Sequence, residues 1–446
     1  METGERRAKA EELNSMGLTF IQSAQEAEAL KYFNRAIEQD GDYLEPYYNK
    51  AMVYQIAGKY EEALECYNLL LQKDSRQGEA CYQKANLMLF YKEDVKEAIE
   101  LYNKAIFFGE KTEEAYFNLG LCMEVSGMGE EALKWVNRAI NRNAKKPDYH
   151  LKKAGILTGL KRYNEAIAAY DQVLMLRADS EEAHHFKAIL LAETKKNEAS
   201  LQALDEAEKV LGPRVLFEYD RALVLESLGK YEEALSHIEK GLEMDADNTM
   251  LIVKKGALLS LGGNLEGAKN VFDQVSELEP ENAEGYFNKA NVDMLLEDYG
   301  TAQELFDTII RKCDDEDPYK INAHYFKAWC LKKSGETEAA EEAYKAALKV
   351  YNTLSLTYPY DAQLMLLKAN TLRDLQRYEE ADELYEYVLD IDKSMADAHL
   401  MRAKNDLCTG RISEARKRIE TAIAINPAYT NVVNLDPELK GVLTGS

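Results

Sequence analysis

The sequence is short of basic charge, of long apolar runs and of closely spaced cysteines. Lysine and arginine number 55 against 79 aspartates and glutamates, giving a formal net charge of −24 at pH 7. Such a surface repels phosphate backbones and anionic headgroups, so neither a nucleic acid nor a membrane is expected as a partner. It draws in basic or mixed-charge protein segments over the range that salt leaves unscreened, and it also keeps a long chain soluble. No run approaches the roughly 18 apolar residues that would cross a bilayer. The opening METGERRAKAEELNSMGLTF lacks the apolar core of a secretory leader. Cys66, Cys81, Cys122, Cys313, Cys330 and Cys408 are scattered, which predicts free thiols and a cytoplasmic location. Phosphate-binding loops, nucleophile elbows and kinase motifs are missing, so no catalysis and no cofactor are expected.

What is present is one pattern repeated about twelve times at a spacing near 34 residues. A small residue marks a first helix: Gly17, Ala51, Ala85, Gly120, Ala154, Ala188, Ala222, Gly256, Ala290, Ala328, Ala369 and Ala403. Some twelve residues later a second marks another helix: Ala29, Ala63, Ala98, Ala132, Ala166, Ser200, Ala234, Ala268, Ala302, Ala340, Ala381 and Ala415. In the stretch 44–77, Tyr47, Ala51 and Tyr54 recur on one helix face, as do Ala63, Tyr67 and Leu70, and Gly58-Lys59 makes the turn between them. Neither helix can bury its apolar stripe alone, but stacked hairpins can. The small residues mark where two axes approach closely, and an aromatic such as Tyr67 fills the wider space beyond. The prediction is an all-α α-solenoid of stacked antiparallel helical hairpins.

Ala51, Tyr54, Gly58, Ala63 and Tyr67, then Gly256, Gly262, Ala268, Phe272 and Pro280, and finally Ala403, Ala415, Ala422 and Pro427 resemble the signature of the tetratricopeptide repeat family. The resemblance covers about residues 10–429. It implies a right-handed α-solenoid (superhelix) with a concave surface lined mainly by first helices, and a scaffold or adaptor that binds a peptide or protein there, in assembly or chaperone-like work. The alternative is a structural solenoid that self-associates or spaces other components with no groove ligand. Homo-oligomerisation stays open.

The register predicts a polar tail at residues 1–9, repeats over 10–429, and a capping segment at 430–446 in which Asp436 starts a short helix and Leu439 and Val442 cover the last hairpin. Four residues are inserted near 314–322 and seven near 351–361. They would extend helices, project loops or change the curvature, and a division of the solenoid is easiest between 314 and 361.

One first-helix slot holds Tyr48, Tyr82, Phe117, Leu151, His185, Tyr219, Val253, Phe287, Tyr325, Leu366 and Leu400. Its aromatic members Tyr48, Tyr82, Phe117, Tyr219, Phe287 and Tyr325 are candidates for holding a peptide; packing between repeats is the rival use. Acidic residues three places earlier, among them Glu45, Glu79 and Glu114, either favour basic ligands or serve the positive helix ends. Lys50, Lys84, Lys153, Lys187, Arg221, Lys255, Lys289, Lys327, Lys368 and Arg402 precede the small residue, and snorkelling of their stems along the seam is the expected account. The family's carboxylate clamp for chaperone C-termini finds its nearest match in Asn86, Asn118 and Lys152. Tyr82 and Asp148 stand where it needs cations, which argues against that ligand. His150 and His184 occupy equivalent places with His185 beside one of them, and no cysteine or aspartate joins them at metal-ligand spacing, so core histidines and no metal are expected.

Overall fold

The computed structural model describes residues 3–444, and the described chain contains helices, turns and no strand. The chain forms two compact units, Met1–Asp220 and Arg221–Ser446. The first contains α1 (Thr3–Gln22), α2 (Glu26–Gln39), α3 (Glu45–Ile56), α4 (Tyr60–Lys73), α5 (Gly78–Phe90) and α6 (Val95–Phe107). It continues with α7 (Glu113–Val125), α8 (Gly129–Arg142), α9 (Pro147–Gly159), α10 (Tyr163–Leu176), α11 (Glu181–Glu193) and α12 (Asn197–Leu211). The division falls inside α13 (Val215–Ser227). The second unit runs through α14 (Tyr231–Met244), α15 (Thr249–Leu261), α16 (Leu265–Leu278), α17 (Ala283–Leu295), α18 (Tyr299–Lys312) and α19 (Pro318–Lys333). It ends with α20 (Thr337–Thr357), α21 (Ala362–Asp374), α22 (Tyr378–Ile391), α23 (Ala396–Cys408), α24 (Ile412–Ile425), α25 (Tyr429–Leu435) and α26 (Pro437–Thr444).

Each odd-numbered helix from α1 to α11 and from α15 to α23 pairs with the one after it, and within each unit the next first helix packs on the preceding second helix. The small columns set the hairpin spacing: Ala51, Ala63, Ala85, Ala98, Ala154 and Ala166 are all fully buried. At Gly17, Gly120 and Gly256 the column residue is glycine because the facing side chain sits closest. A Cβ on Gly120 would come within 2.8 Å of Val136, and one on Gly256 within 2.6 Å of the Phe272 ring. Ser200 keeps its place in the alanine column because its hydroxyl donates to the Ala188 carbonyl at 2.7 Å, directly across the hairpin.

Every hairpin turn carries one residue in the left-handed region. Six are glycines (58, 127, 229, 263, 335 and 410) and six are Ala24, Glu93, Lys161, Lys195, Glu297 and Gln376. A side chain there costs roughly 1–2 kcal/mol. The turn repays it by capping the first helix: Lys59 N–H reaches the Tyr54 carbonyl at 2.8 Å and Gly58 N–H that of Gln55 at 3.1 Å.

The two large insertions lengthen helices. α19 has 16 residues and α20 has 21, against 13 and 14 in α21 and α22. Asp317 caps α19, its carboxylate accepting the Tyr319 and Lys320 N–H groups at 2.8 and 3.3 Å. The added turns of α20 bury Tyr351 and Leu354, and the Tyr351 hydroxyl donates to the Ile321 carbonyl at 2.8 Å. The residues expected to loosen the stack therefore extend its core, and the contact division falls at 220–221 instead. Glu218 and Asp220 in the first unit and Arg221 in the second are each buried.

The ends also differ from a frayed chain. Residues 3–9, expected as a polar tail, are the first turns of α1, where Arg7 pairs with Asp40 at 2.7 Å and lies over the Tyr43 ring at 4.8 Å. At the other end Leu439 and Val442 pack on Ala415, Ile419 and Ala422, and Asp436 accepts the Leu439 N–H at 3.3 Å. Residues 445 and 446 lie outside the described residues.

Candidate protein-binding face

Burial of Tyr47, Ala51 and Val53 leaves one side of α3 facing outward: Glu45, Tyr48, Asn49, Met52, Gln55 and Ile56. The equivalent side of α5 and α7 lies alongside, tied across by side chains. Tyr48 donates to the Glu79 carboxylate at 2.6 Å, Gln55 to Gln83 at 3.4 Å and Asn118 to Asn86 at 3.0 Å.

The aromatic slot is divided between the two uses weighed for it. Tyr48, Tyr82 and Phe117 are half-buried, their rings 6.1 Å from Tyr67, 6.0 Å from Tyr102 and 4.6 Å from Tyr149. Tyr219 of α13 is half-buried as well. In the second unit packing takes over: Phe287 sits among Phe306, Tyr319 and Phe326, and Val253, Leu366 and Leu400 are buried. Tyr325 corrects the sequence reading. It is 6% exposed and its hydroxyl donates to Asp374 at 2.9 Å, so it belongs to the interior rather than to a groove. The helical phase placed it outward, but the Asp374 carboxylate draws the phenol inward.

The acidic candidates are engaged too. Glu45 accepts from Tyr43 at 2.5 Å, and burial with this bond pushes the Tyr43 phenol up to about 12. Burial, then Glu79, raises Tyr48 above its ordinary range. Glu114 accepts from Lys146 at 2.5 Å, which raises the lysine. Asn86 takes the Tyr102 hydroxyl at 2.7 Å along with Asn118. Glu45, Tyr48 and Glu79 come together around a cleft of about 570 Å³, which Arg7, Asn49 and Gln77 also line.

The basic column is an ion-pair ladder. Lys84 meets Glu97 at 2.5 Å, Lys187 meets Asp171 at 2.8 Å, Lys255 meets Glu239 at 3.1 Å, and Lys289 pairs with Asp273. His150 and His184 are buried, each ring placed on a carbonyl six residues back, Ala144 at 3.0 Å and Ala178 at 2.9 Å. Tyr47 makes the same contact to Gly41 at 3.3 Å. These histidines fasten a first helix to the turn before it, and among the described residues no group of three or more histidines, cysteines or acids is placed to hold a metal ion.

Three further residues escaped the sequence reading. Ile56, Phe90 and Val125 end α3, α5 and α7, five places after the small residue, and are 71%, 64% and 70% exposed. They form an apolar column across three successive repeats. The available signal was an apolar residue just before each polar turn, in helices whose apolar residues already fill the buried side.

Family models described as tetratricopeptide repeat match residues 32–65, 219–248 and 327–398, and the model for anaphase-promoting complex, cyclosome, subunit 3 matches 92–173. A TPR repeat-containing protein of Methanocaldococcus jannaschii is 31% identical over 130 residues, 29% of this chain and 22% of that protein. The mitochondrial import receptor subunit TOM70 of Homo sapiens is 26% identical over 129 residues, 29% of this chain and 21% of the receptor. The chain thus spans about a fifth of the length of these two relatives. The crystal structure of yeast Tom70 aligns with 98% of this chain and 99% of its own at a TM-score of 0.47 and 18% identity.

Proposed function

The chain belongs to the tetratricopeptide repeat family, and we propose that it is a non-catalytic scaffold that binds a protein segment on the outward side of α3, α5 and α7. The observation that carries this reading is the exposed column Ile56, Phe90 and Val125. Each side chain lies far from the hairpin packing, and exposed apolar residues in register across repeats mark interaction surfaces. Beside the column run amides able to hold a peptide backbone, and beyond them the rings of Tyr48, Tyr82 and Phe117. The segment this face fits carries apolar side chains at intervals, with lysine or arginine towards the Glu45 and Glu79 end, where the net charge of −24 favours its approach. The import-receptor role belongs to TOM70 by name; binding of a protein segment is the part of it carried here. Six thiols with no disulfide among them and no described helix long and apolar enough to cross a membrane support a cytoplasmic location.

The test is titration of labelled peptides bearing three spaced apolar residues and basic flanks against the full chain and against the variant Ile56→Ser/Phe90→Ser/Val125→Ser. The variant should keep its thermal midpoint and lose about tenfold or more in affinity. Equal binding by the two proteins would sink the assignment.

A further inference from the structure

The second-helix ends of the first unit break the acidic character of the chain at one place. The stretch Ala132 to Pro147, which covers most of α8 and the turn after it, holds five cations and no carboxylate, in a chain of net charge −24. Lys134 pairs with Glu131 at 2.6 Å and Lys146 with Glu114 at 2.5 Å. Arg138, Arg142 and Lys145 are exposed and form no ion pair among the described residues; Arg138 lies over the Trp135 ring at 4.3 Å. Lys104 of α6 is exposed and without an acidic partner in the same sense. It stands six places after Ala98, as Arg138 stands six after Ala132, so the repeat register sets the two side by side. Ile106 of α6 shares one apolar cluster with Trp135 and Ile140 of α8.

An apolar feature accompanies this charge. Phe107 ends α6 three places after Lys104 and is 80% exposed, with the Phe108 ring set edge-on to it at 5.1 Å. Ala98, Leu101, Tyr102 and Ala105 already complete the packed side of α6. The patch is also bounded. At the same register α4 and its turn carry Lys73 and Arg76, which are committed to Asp42 at 3.5 Å and Asp74 at 3.1 Å, and α10 and its turn carry Gln172 and Asp179. Lys104 and Arg142 lie in last turns, where the helix dipole favours cations. The dipole calls neither for Arg138, a turn earlier, nor for an exposed phenylalanine.

We propose that the ends of α6 and α8 form a second docking surface, whose partner is an acidic protein segment carrying an aromatic or aliphatic side chain. Its carboxylates accept from Lys104, Arg138 and Arg142, and its apolar side chain covers Phe107. Charge complementarity selects an acidic partner, and the extent of the patch selects a short one, since Arg138 to Lys145 spans about two helical turns. A nucleic-acid duplex or an anionic bilayer would reach past it to the exposed Glu100, Glu130 and Asp179 and be repelled. Because the hairpins are antiparallel, this surface lies at their opposite end from Ile56, Phe90 and Val125, and it does not rest on the binding face proposed above.

Titration of the full chain tests it with four probes: the labelled peptide EDFEDL, its neutral counterpart QNFQNL, a short oligothymidylate, and vesicles containing phosphatidylserine. Saturable binding of EDFEDL is expected at low salt, with QNFQNL about tenfold weaker or worse and with affinity falling as salt rises. Lys104→Gln/Arg138→Gln/Arg142→Gln should lose about tenfold in affinity and Phe107→Ser about threefold, each keeping the parental thermal midpoint. Ile56→Ser/Phe90→Ser/Val125→Ser should bind EDFEDL as the parent does, so that failure of the first face and failure of this one are read separately. Absence of saturable binding at millimolar concentrations, equal binding of the two peptides, or parental affinity in the triple-glutamine variant overturns the proposal. So does loss of EDFEDL binding in the triple-serine variant, or tighter binding to the oligothymidylate or the vesicles than to EDFEDL.

Discussion

The ends of the first helices differ between α3–α7 and α19–α23 although the hairpins beneath them are alike. In α3, α5 and α7 the last residue is Ile56, Phe90 or Val125, exposed and apolar. In α19, α21 and α23 it is Lys333, Asp374 or Cys408, and Arg373 and Asp374 form a buried polar network with Tyr325. Packing of small residue against small residue fixes the hairpin four or five places earlier. The end of the first helix is thereby released from structural duty, and one fold carries exposed apolar ends at α3–α7, and again at Leu261 of α15 and Leu295 of α17, and a buried polar network at α19–α23.

The largest break in that comparison comes from paired truncations. Asp374→Ala leaves the Arg373 guanidinium buried without its carboxylate and should cost about 3–5 kcal/mol; Phe90→Ala, at an exposed site, should stay within about 0.5 kcal/mol. Hydrogen exchange, read separately for α19–α23 and α3–α7, gives both values. Similar losses at the two sites would show that the helix ends do equivalent work.

The hairpin layer should respond alike in both units. Gly120→Ala and Gly256→Ala each push a Cβ into a facing side chain. Overpacking, less the helix-propensity gain of alanine, should leave each variant about 1–2 kcal/mol less stable by denaturant titration. A cost in only one unit would mean that the shared packing is not shared.

Acid should loosen the second unit first. Burial works against the Asp374 and Asp382 charges, but Arg373 and Lys332 around the former and Arg402 around the latter hold both carboxyls below their ordinary range. A lowered folded value means that the stabilisation is present above the unfolded value and is lost as pH falls through the folded one. The lowered carboxyls of the first unit include Glu61 and Glu165, which are fully exposed. Exchange protection in α19–α24 should therefore fall below about pH 4 ahead of that in α3–α7. Simultaneous loss would count against the buried network.

The smallest expected effect is again symmetric. Lys161→Gly and Gln376→Gly relieve left-handed turn residues and should each raise stability by about 0.5–1 kcal/mol, the steric relief less the entropy that glycine gains in the unfolded chain.

The hairpins and their register were legible in the sequence because small residues at close crossings have no competing explanation. Asp436, Leu439 and Val442 were legible for a similar reason, since a cap followed by apolar residues has few uses. The surface was harder to read. Ile56, Phe90 and Val125 precede turns, where an apolar residue passes for part of the helix stripe, and helical phase alone cannot show that the stripe is already complete. Tyr325 was misplaced because its partner lies 49 residues away, and no local pattern announces such a contact. The 314–361 insertions carry polar and turn-forming residues, yet Tyr351 and Leu354 had enough apolar surface to continue a helix.

The second-helix tyrosines make the chain its own optical gauge. Burial holds the Tyr67, Tyr102, Tyr344 and Tyr385 phenols above their ordinary range, so they stay neutral in alkali while their hairpins are closed. A raised folded value favours the closed form below about pH 10 and opposes it above, where a released phenol ionises. Each opening hairpin that holds one of these rings thus adds a tyrosinate to the ultraviolet spectrum, and the growth of that band counts hairpins as they come apart.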